Sequence, residues 1–317
     1  MATPAAAGQG WSSAAGAAFL GVVVLGGGNA VAVRILNAEV APLWGAALRF
    51  GVAAVVLLAV VLLTRTPLPH GRAFIGSVLY GAVGFAGAFG SIHWALVQVP
   101  AANVQIVLAL VPLLTFLFAV GQGLERFRPA SLAGALVAFA GIAVIFGEGL
   151  GAATPIASLA AVAVGAACMA ESNVIVKRFP KCHPVANNAV AMTIGAAILV
   201  VVSFVTGERH AWPSREPTWL ALTYVSLAGS VSVFSLFVYV VQRSPASAAS
   251  FVMLLMPLVT VTAAAVVTGA PINPAFITGG AVVLAGVTIG AIWPARQMRA
   301  NDVVAPRLSS STQPGCA

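Results

Sequence analysis

Ten long apolar stretches dominate this 317-residue sequence, and nearly all of its charged residues lie in the gaps between them. Only 7% of the residues are charged and 60% are hydrophobic, whereas a water-soluble domain has roughly 25% charged residues. A helix needs about 20 apolar residues to cross the hydrocarbon core of a bilayer. The pattern predicts an all-α integral membrane protein with ten transmembrane helices, over residues 14–35, 43–63, 74–95, 102–121, 130–147, 156–176, 185–205, 218–240, 246–268 and 274–293.

The chain leaves no room for a separate soluble domain. The longest gap between apolar stretches, residues 206–217, is too short for one. Residues 1–13 are predicted to be a cytoplasmic N-terminal segment, and residues 294–317 a polar, disordered cytoplasmic tail. The stretches are far longer than the ~10-residue alternating strands of a membrane barrel, so they are predicted to be helices.

The basic residues alternate from gap to gap along the chain. Alternate gaps and the tail hold most of them, and the opposite gaps hold only Arg209 and Arg215, beside Glu208 and Glu216. Loops rich in Lys and Arg stay in the cytoplasm, so both termini are predicted to be cytoplasmic. This distribution accounts for the net charge of +8 without a nucleic-acid partner. The basic group is Arg65, Arg72, Arg126, Arg128, Lys177, Arg178, Lys181, Arg243, Arg296, Arg299 and Arg307.

The two halves of the sequence resemble each other at an offset of 145 residues. Each half holds five apolar stretches, an odd number, so the second copy is predicted to be inverted in the membrane relative to the first. Inverted repeats of this kind are typical of secondary transporters. The matched pairs include Pro112 and Pro257, Thr115 and Thr260, Gly134 and Gly279, Gly141 and Gly286 and, at an offset of 144, Asn29 and Asn173.

These residues also carry a family resemblance. The segment 29–34, the segment 47–50 and the later run from Pro100 through Leu110-Val-Pro-Leu to Glu125 resemble an EamA repeat of the drug/metabolite transporter superfamily. The resemblance implies a five-plus-five inverted repeat, over residues 14–147 and 156–293, that exports small metabolites across the bacterial inner membrane. Ala270 departs from the family pattern, which usually has a second glutamate there like Glu125.

Glu171 is the one acidic residue well inside a predicted span. A carboxylate within the membrane is a candidate functional group, because burial raises the pKa of such a group toward neutrality. Glu171 could therefore carry a coupling proton. The alternative is a helix-end glutamate that pairs with the basic loop at residues 177–181.

Two further ionisable residues are candidates for a substrate cavity. Arg49 could hold a substrate carboxylate or a cluster of buried carbonyls, or it could extend to the membrane surface. Its vertical distance from Glu171 is estimated at ~13 Å, too far for a direct ion pair. His93 could be a hydrogen-bonded interface residue or a proton-coupling group.

Polar and proline residues complete the candidate set. Asn29, Asn103 and Asn173 could join helices or bind substrate. Pro112 and Pro257 are candidate helix bends at matched positions, and the match suggests that both halves use the same bend.

The sequence disfavours catalysis and metal binding. It has no phosphate-binding loop for its own ATPase and no metal-ligand spacing, so no cofactor is expected. The predicted function is a secondary active transporter that exports amino acids or other small amphipathic metabolites by alternating access, with protons as a candidate coupling ion. The alternatives are a passive metabolite channel and an integral-membrane enzyme that modifies lipids.

The predicted topology can be checked by cysteine labelling. Cys182 lies in a gap predicted to be cytoplasmic and Cys316 in the tail. A membrane-impermeant thiol reagent should modify both from the cytoplasmic side only. Labelling of either residue from outside would contradict the orientation.

Overall fold

The computed structural model describes residues 13–96, 98–99, 101–147, 155–268 and 273–292, and the regular structure in these ranges is entirely helical. The predicted tail, most of the predicted N-terminal segment, Ala270 and Cys316 lie outside them. Ten helical segments match the ten predicted spans, which confirms the predicted fold class. They are α1 (Ser13–Asn37), α2 (Pro42–Leu63), α3 (Arg72–Leu96), α4 (Asn103–Gly121), α5 (Pro129–Phe146), α6 (Ile156–Arg178), α7 (Pro184–Val205), α8 (Glu216–Arg243), α9 (Ala246–Thr262) and α10 (Pro274–Gly290).

The first eight helices are long and apolar enough to cross a membrane, and α9 and α10 are shorter apolar helices. Several helices begin at a proline, including α2 at Pro42 and α7 at Pro184. Proline suits the first helical turn because its missing N–H would have no helical partner there. The turn after α7 contains Gly207 at a φ of 69°, a left-handed conformation that glycine adopts without strain.

Several helices depart from regular winding where they pack together. Helix α1 is interrupted at Gly28, and α3 and α8 take up the wider π-helical winding at Gly81–Phe89 and Leu227–Ser232. When 145 is added to its residue numbers, the π-helical segment of α3 overlaps the π-helical segment of α8. π-helical turns are rare and often mark functional sites.

The most extensive helix contacts join the first half of the chain, residues 13–147, to the second half, residues 155–292. Helix α2 packs on α7 and α5 packs on α10. Helix α3 packs on α6 just as α1 packs on α8, and α4 packs on α6 just as α1 packs on α9. When each helix is replaced by its counterpart in the other half, the contact between α2 and α7 and the contact between α5 and α10 map onto themselves. The other contacts named here map onto one another in pairs.

Glycines permit the close approach of α5 and α10. A Cβ at Gly134 would lie 2.6 Å from the Gly286 oxygen, and a Cβ at Gly141 would lie 2.7 Å from the Gly279 oxygen. The two helices therefore cross antiparallel with their backbones in contact. The repeat offset of 145 relates Gly134 to Gly279 and Gly141 to Gly286, so it exchanges the two glycine contacts. Small residues are the usual means of close packing between membrane helices.

Loops from both halves meet at one end of the bundle, called here the tryptophan end (residues 38–41 and 206–215). The Glu208 carboxylate accepts hydrogen bonds from the backbone N–H groups of Leu43, at 3.0 Å, and Trp44, at 2.8 Å. The Glu39 carboxylate accepts hydrogen bonds from Ser214 and from the Arg215 backbone. Hydrogen bonds from the Ser214 hydroxyl, from Thr218 and from the backbone hold the pKa of Glu39 at about 2.

The opposite end, called here the basic end (residues 64–71, 122–128, 179–183 and 244–245), has a similar carboxylate contact. Glu125 accepts hydrogen bonds from the backbone N–H and the hydroxyl of Ser247, in the first turn of α9. Glu39, Glu208 and Glu125 therefore each bind the start of a helix in the other half, where a negative charge is favourable. The loops that meet at each end are therefore ones that the sequence predicts on the same side of the membrane. Which end faces the cytoplasm stays a prediction.

Cys182 lies at the basic end and is half-buried. Burial raises the pKa of its thiol, and its Sγ contacts the Asn187 Oδ1 at 3.7 Å. A reagent that reacts with the thiolate should therefore modify Cys182 faster as the pH rises above neutrality.

The glycine contact between α5 and α10 predicts a selective effect of alanine. Gly134→Ala places a methyl group against the backbone of α10 and should lower stability by about 1–3 kcal/mol. Gly51→Ala in α2 is the matched control, because nothing lies within 4 Å of its Cβ. Thermal unfolding in detergent should show a lower Tm for Gly134→Ala only. Equal melting temperatures for the two variants would contradict the close approach.

Candidate functional site

Arg49 is a buried charge at the contact between the two halves. It lies seven residues after Pro42 in α2, about 10 Å along the helix at 1.5 Å per residue, and is 3% exposed. Its Nε donates to the Ser230 Oγ at 2.7 Å, and its Nη2 donates to the Gly229 oxygen at 2.9 Å. Both acceptors belong to α8 and both are neutral.

The Arg49 guanidinium therefore keeps unused binding capacity. It has five N–H donors, of which two make these hydrogen bonds among the described residues. The side chain points into the protein, toward α8, so the structure does not support the interpretation in which it extends to the membrane surface. The role of Arg49 in substrate binding stays a prediction.

Two aromatic rings lie close to the guanidinium. Its central carbon lies 5.0 Å from the centroid of the Phe50 ring and 5.6 Å from that of Phe89. Contact with the faces of such rings stabilises a cation. Phe50 and Phe89 also contact Phe85 and Phe234, and these four residues form the phenylalanine cluster. Phe89 and Phe234 are separated by the repeat offset of 145, a sequence signal that could have identified the cluster.

Asn29 reaches the same carbonyl as Arg49. Its Nδ2 donates to the Gly229 oxygen at 3.3 Å, and its Oδ1 is buried without a hydrogen-bond partner among the described residues. The glycine at position 229 leaves room for this approach, because a Cβ there would meet the Asn29 amide, with the Oδ1 as its nearest atom. The helix interruption at Gly28 and the π-helical winding of α8 together create this contact.

His93 lies beside the phenylalanine cluster. It is buried, its Nδ1 is 2.8 Å from the Phe89 oxygen, and its ring centroid is 6.1 Å from that of Phe89. Arg49 and His93 therefore contact the same phenylalanine. The structure brings Asn29, Arg49 and His93 into one region between α1, α2, α3 and α8.

Glu171 belongs to a second, separate site near the basic end. Both of its carboxylate oxygens accept hydrogen bonds from the Gln122 Nε2, each at 2.9 Å. The Gln122 Oε1 accepts a hydrogen bond from Arg178 at 3.0 Å. Glu171 is thus connected to the basic loop through a glutamine, and its hydrogen bonds do not involve Arg49. Its role in coupling stays a prediction.

Asn173 and Asn103 lie outside the Arg49 region as well. Asn173 is buried and its Nδ2 donates to the Thr115 Oγ1 of α4 at 3.3 Å. Thr260, the counterpart of Thr115, donates to the Gly27 oxygen of α1. Asn103 is buried at the beginning of α4.

Comparison with known proteins decides the family. The sequence model of the EamA-like transporter family matches residues 13–147 and, separately, residues 156–291. Together these segments cover almost the whole bundle. The chain belongs to the EamA-like transporter family.

Relatives of this EamA-like transporter include two bacterial proteins. It is 28% identical over 237 residues to the uncharacterized inner membrane transporter YedA of Escherichia coli K12, and the aligned residues cover 74% of this chain and 76% of YedA. It is 27% identical over 256 residues to the uncharacterized transporter YyaM of Bacillus subtilis, and these aligned residues cover 78% of this chain and 83% of YyaM. A crystal structure with 23% identity has the same fold, with a TM-score of 0.77 over 91% of this chain and 99% of that one. The family match and the apolar helices make the chain an integral membrane transporter.

Two buried amides of this EamA-like transporter did not enter the sequence prediction. Asn187 and Asn188 lie near the start of α7, and the Asn187 Oδ1 accepts a hydrogen bond from Ser77 at 2.8 Å. The Asn188 amide has no partner among the described residues. The sequence signal that could have identified them is a pair of consecutive asparagines inside an apolar stretch.

The matched prolines differ in their local structure. Helix α4 is interrupted at residues 109–110, immediately before Pro112. Helix α9 continues through Pro257, and its interruption lies earlier, at Phe251. The two halves therefore do not share one interruption, and a bend at Pro257 stays a prediction.

The contact between Arg49 and Ser230 predicts a selective loss of stability. Ser230→Ala removes the acceptor of the buried Nε–H and should cost about 1–3 kcal/mol. Ser232→Ala is the matched control, because Ser232 is in the same π-helical segment and its hydroxyl donates only to the Leu227 oxygen. Thermal unfolding of both variants tests this, and equal losses of Tm would show that the Arg49 contact contributes nothing of its own.

Proposed function

We propose that this transporter is a secondary active exporter of amino acids or other small amphipathic metabolites. The observation that carries the proposal is the Arg49 guanidinium, buried between the halves and hydrogen-bonded to neutral groups of α8. A carboxylate of a substrate is the natural counter-ion for such a group, because it accepts two parallel hydrogen bonds from a guanidinium.

The surroundings of Arg49 favour a substrate that is small and partly apolar. The phenylalanine cluster lies against the guanidinium, and the spans contain few other basic residues. Carriers of phosphorylated sugars or nucleotides should need several arginines or lysines around the substrate.

Alternating access in this proposal is a relative motion of two five-helix inverted repeats, residues 14–147 and 156–293. The exchange-related helix contacts and the repeated match to one family model support this interpretation. Opening of the tryptophan end would break the Glu39 and Glu208 contacts. Opening of the basic end would break the contact between Glu125 and Ser247. We further propose that the basic end faces the cytoplasm, as the positive-inside rule requires.

Counterflow in proteoliposomes tests the function. Vesicles loaded with unlabelled L-amino acids should accumulate the labelled amino acid in a saturable way. Arg49→Gln should abolish this counterflow, and Ser232→Ala should preserve it. Flux that does not saturate and shows no counterflow would indicate a passive channel. Conversion of a lipid by the purified protein would indicate an enzyme instead.

The proposed proton coupling predicts a specific effect at Glu171. Glu171→Gln keeps an amide that can bond to Gln122 but cannot carry a proton. The variant should retain substrate exchange and lose the acceleration by a pH gradient. The transport rate with and without an imposed gradient measures this. A variant with the wild-type rate and pH profile would exclude coupling through Glu171 and leave it a helix-end residue.

A further inference from the structure

A glutamine side chain, Gln122, joins the two halves of the chain at the basic end. It follows the last residue of α4, and its amide lies between two residues of α6. Its Nε2 donates to both oxygens of the Glu171 carboxylate at 2.9 Å, and its Oε1 accepts from the Arg178 Nη1 at 3.0 Å. Glu171 and Arg178 are about two helical turns apart, so they lie on the same face of α6.

The Gln122 amide fits its two partners best when Glu171 is ionised. The guanidinium of Arg178 can only donate and an ionised carboxylate can only accept, so the amide oxygen faces Arg178 and the NH₂ group faces Glu171. Protonation gives Glu171 a hydroxyl in place of one acceptor oxygen. The amide then keeps one neutral hydrogen bond to Glu171. Turning the amide around would set its NH₂ group against the guanidinium.

The turn that follows α4, called here the latch turn (residues 122–125), connects two contacts between the halves. The backbone N–H groups of its last two residues both donate to the Ala119 oxygen, at 2.8 and 3.2 Å. Gly123 has a φ of 71°, a left-handed conformation that ends a helix without strain at glycine. The first side chain of the turn binds α6, and the last, Glu125, binds Ser247 at the start of α9. The compact backbone therefore links the positions of these two side chains.

The surfaces that receive the latch turn are themselves joined. Lys177 precedes Arg178 on α6, and its Nζ donates to the Val241 oxygen at 3.3 Å and the Ser244 oxygen at 2.8 Å, at and just beyond the end of α8. Ser244 lies shortly before Ser247 in the chain. The end of α6 and the start of α9 are therefore connected within the second half, and the latch turn binds both.

We propose that Gln122 is the positioning residue that couples the charge of Glu171 to closure of the basic end. While Glu171 is ionised, Gln122 holds the latch turn on the second half and the basic end stays closed. When Glu171 takes up a proton, the latch turn is released and the basic end opens. The inference rests on the proposed function for its place in a transport cycle, and it adds the residue and the direction of the coupling.

The direction of this coupling follows from thermodynamic linkage. The closed basic end favours the ionised form of Glu171, so a fall in pH shifts the population toward the open end. A hydrogen bond to a charged group exceeds a neutral one by an amount that corresponds to about a 10-fold change in this equilibrium. In an exporter whose basic end faces the cytoplasm, proton release to the cytoplasm would close this end behind the substrate.

Other ionisable groups lie at the basic end on α6 and on the elements near it. Glu125, His70 and His183 gain a proton on acidification as Glu171 does, so a test must separate them from it. The charged and titratable groups of α6, of the neighbouring ends of α3 and α8 and of the adjoining loops are His70, Arg72, Tyr80, Glu125, Arg126, Arg128, Lys177, Arg178, Lys181, Cys182, His183, Tyr239 and Arg243.

The distance across the basic end as a function of pH is the test. Spin labels at Arg126→Cys and His183→Cys, one exposed site in each half, report this distance by pulsed electron paramagnetic resonance in a protein without its native cysteines. The ratio of the open to the closed population should rise about 10-fold between about pH 8 and about pH 5. An unchanged distance distribution, or one that shortens as the pH falls, would overturn the inference.

Variants of the labelled protein assign the response. Gln122→Leu should abolish the pH dependence, and Glu171→Gln, which imitates the protonated form, should hold the ratio near its acidic value at every pH. Gln242→Leu is the matched control, because Gln242 is a buried glutamine that donates to the Cys182 oxygen within the second half. It should keep the response. If Gln122 were merely structural, Gln122→Leu would lower the Tm and keep the pH dependence. A response that survives in Gln122→Leu or in Glu171→Gln would overturn the inference.

Failure of this inference can be distinguished from failure of the proposed function. Saturable counterflow by a protein whose basic end does not respond to pH would overturn the inference and leave the transporter. A pH response that requires Gln122, in a protein without counterflow of any amino acid, would support the latch and overturn the proposed function. The measurements with Gln122 intact, including Glu171→Gln, decide the matter even if Gln122→Leu fails to fold.

Discussion

The hydrogen bond from Arg49 to the Gly229 carbonyl is the interaction on which the centre of this transporter depends. A charged side chain at the middle of a membrane helix costs about 2.5–3.5 kcal/mol on insertion scales. Here two acceptors on α8 and the faces of two phenylalanine rings stabilise the cation. Because these acceptors belong to the other half of the chain, the same contacts that stabilise the charge also hold the halves together.

The backbone around this hydrogen bond lets several polar side chains approach the Gly229 carbonyl. Gly229 has no side chain, so Asn29 and Arg49 can both approach its carbonyl. The π-helical winding of α8 lets the Ser230 hydroxyl donate back to the Val225 oxygen while it accepts from Arg49. The interruption of α1 at Gly28 brings Asn29 to the same place, and Tyr224 bonds to the Leu25 carbonyl beside it. At the two ends, carboxylates bound to helix starts add to the helix contacts between the halves.

The fold was predictable from the sequence because the length of an apolar stretch is a local property. The predicted spans agree with the helices to within a few residues, as with 218–240 for Glu216–Arg243. The partners of the site residues were not predictable in this way. Arg49 and Gly229 are 180 residues apart, and nothing in the local sequence of α2 indicates an acceptor in α8. For Glu171, one of the two interpretations was a pairing with the basic loop at residues 177–181, and in the structure Gln122 lies between Glu171 and Arg178.

The central claim is that transport requires the two halves to separate at each end in turn. A short cleavable thiol cross-linker between Glu125→Cys and Ser247→Cys, in a protein without its native cysteines, tests this directly at the basic end. Cross-linking of Thr64→Cys to Thr66→Cys, which lie in one exposed turn of the first half, is the control. The account predicts that the first cross-link stops counterflow until the linker is cleaved and that the second leaves it unchanged. Undiminished counterflow through protein cross-linked between residues 125 and 247 would contradict it.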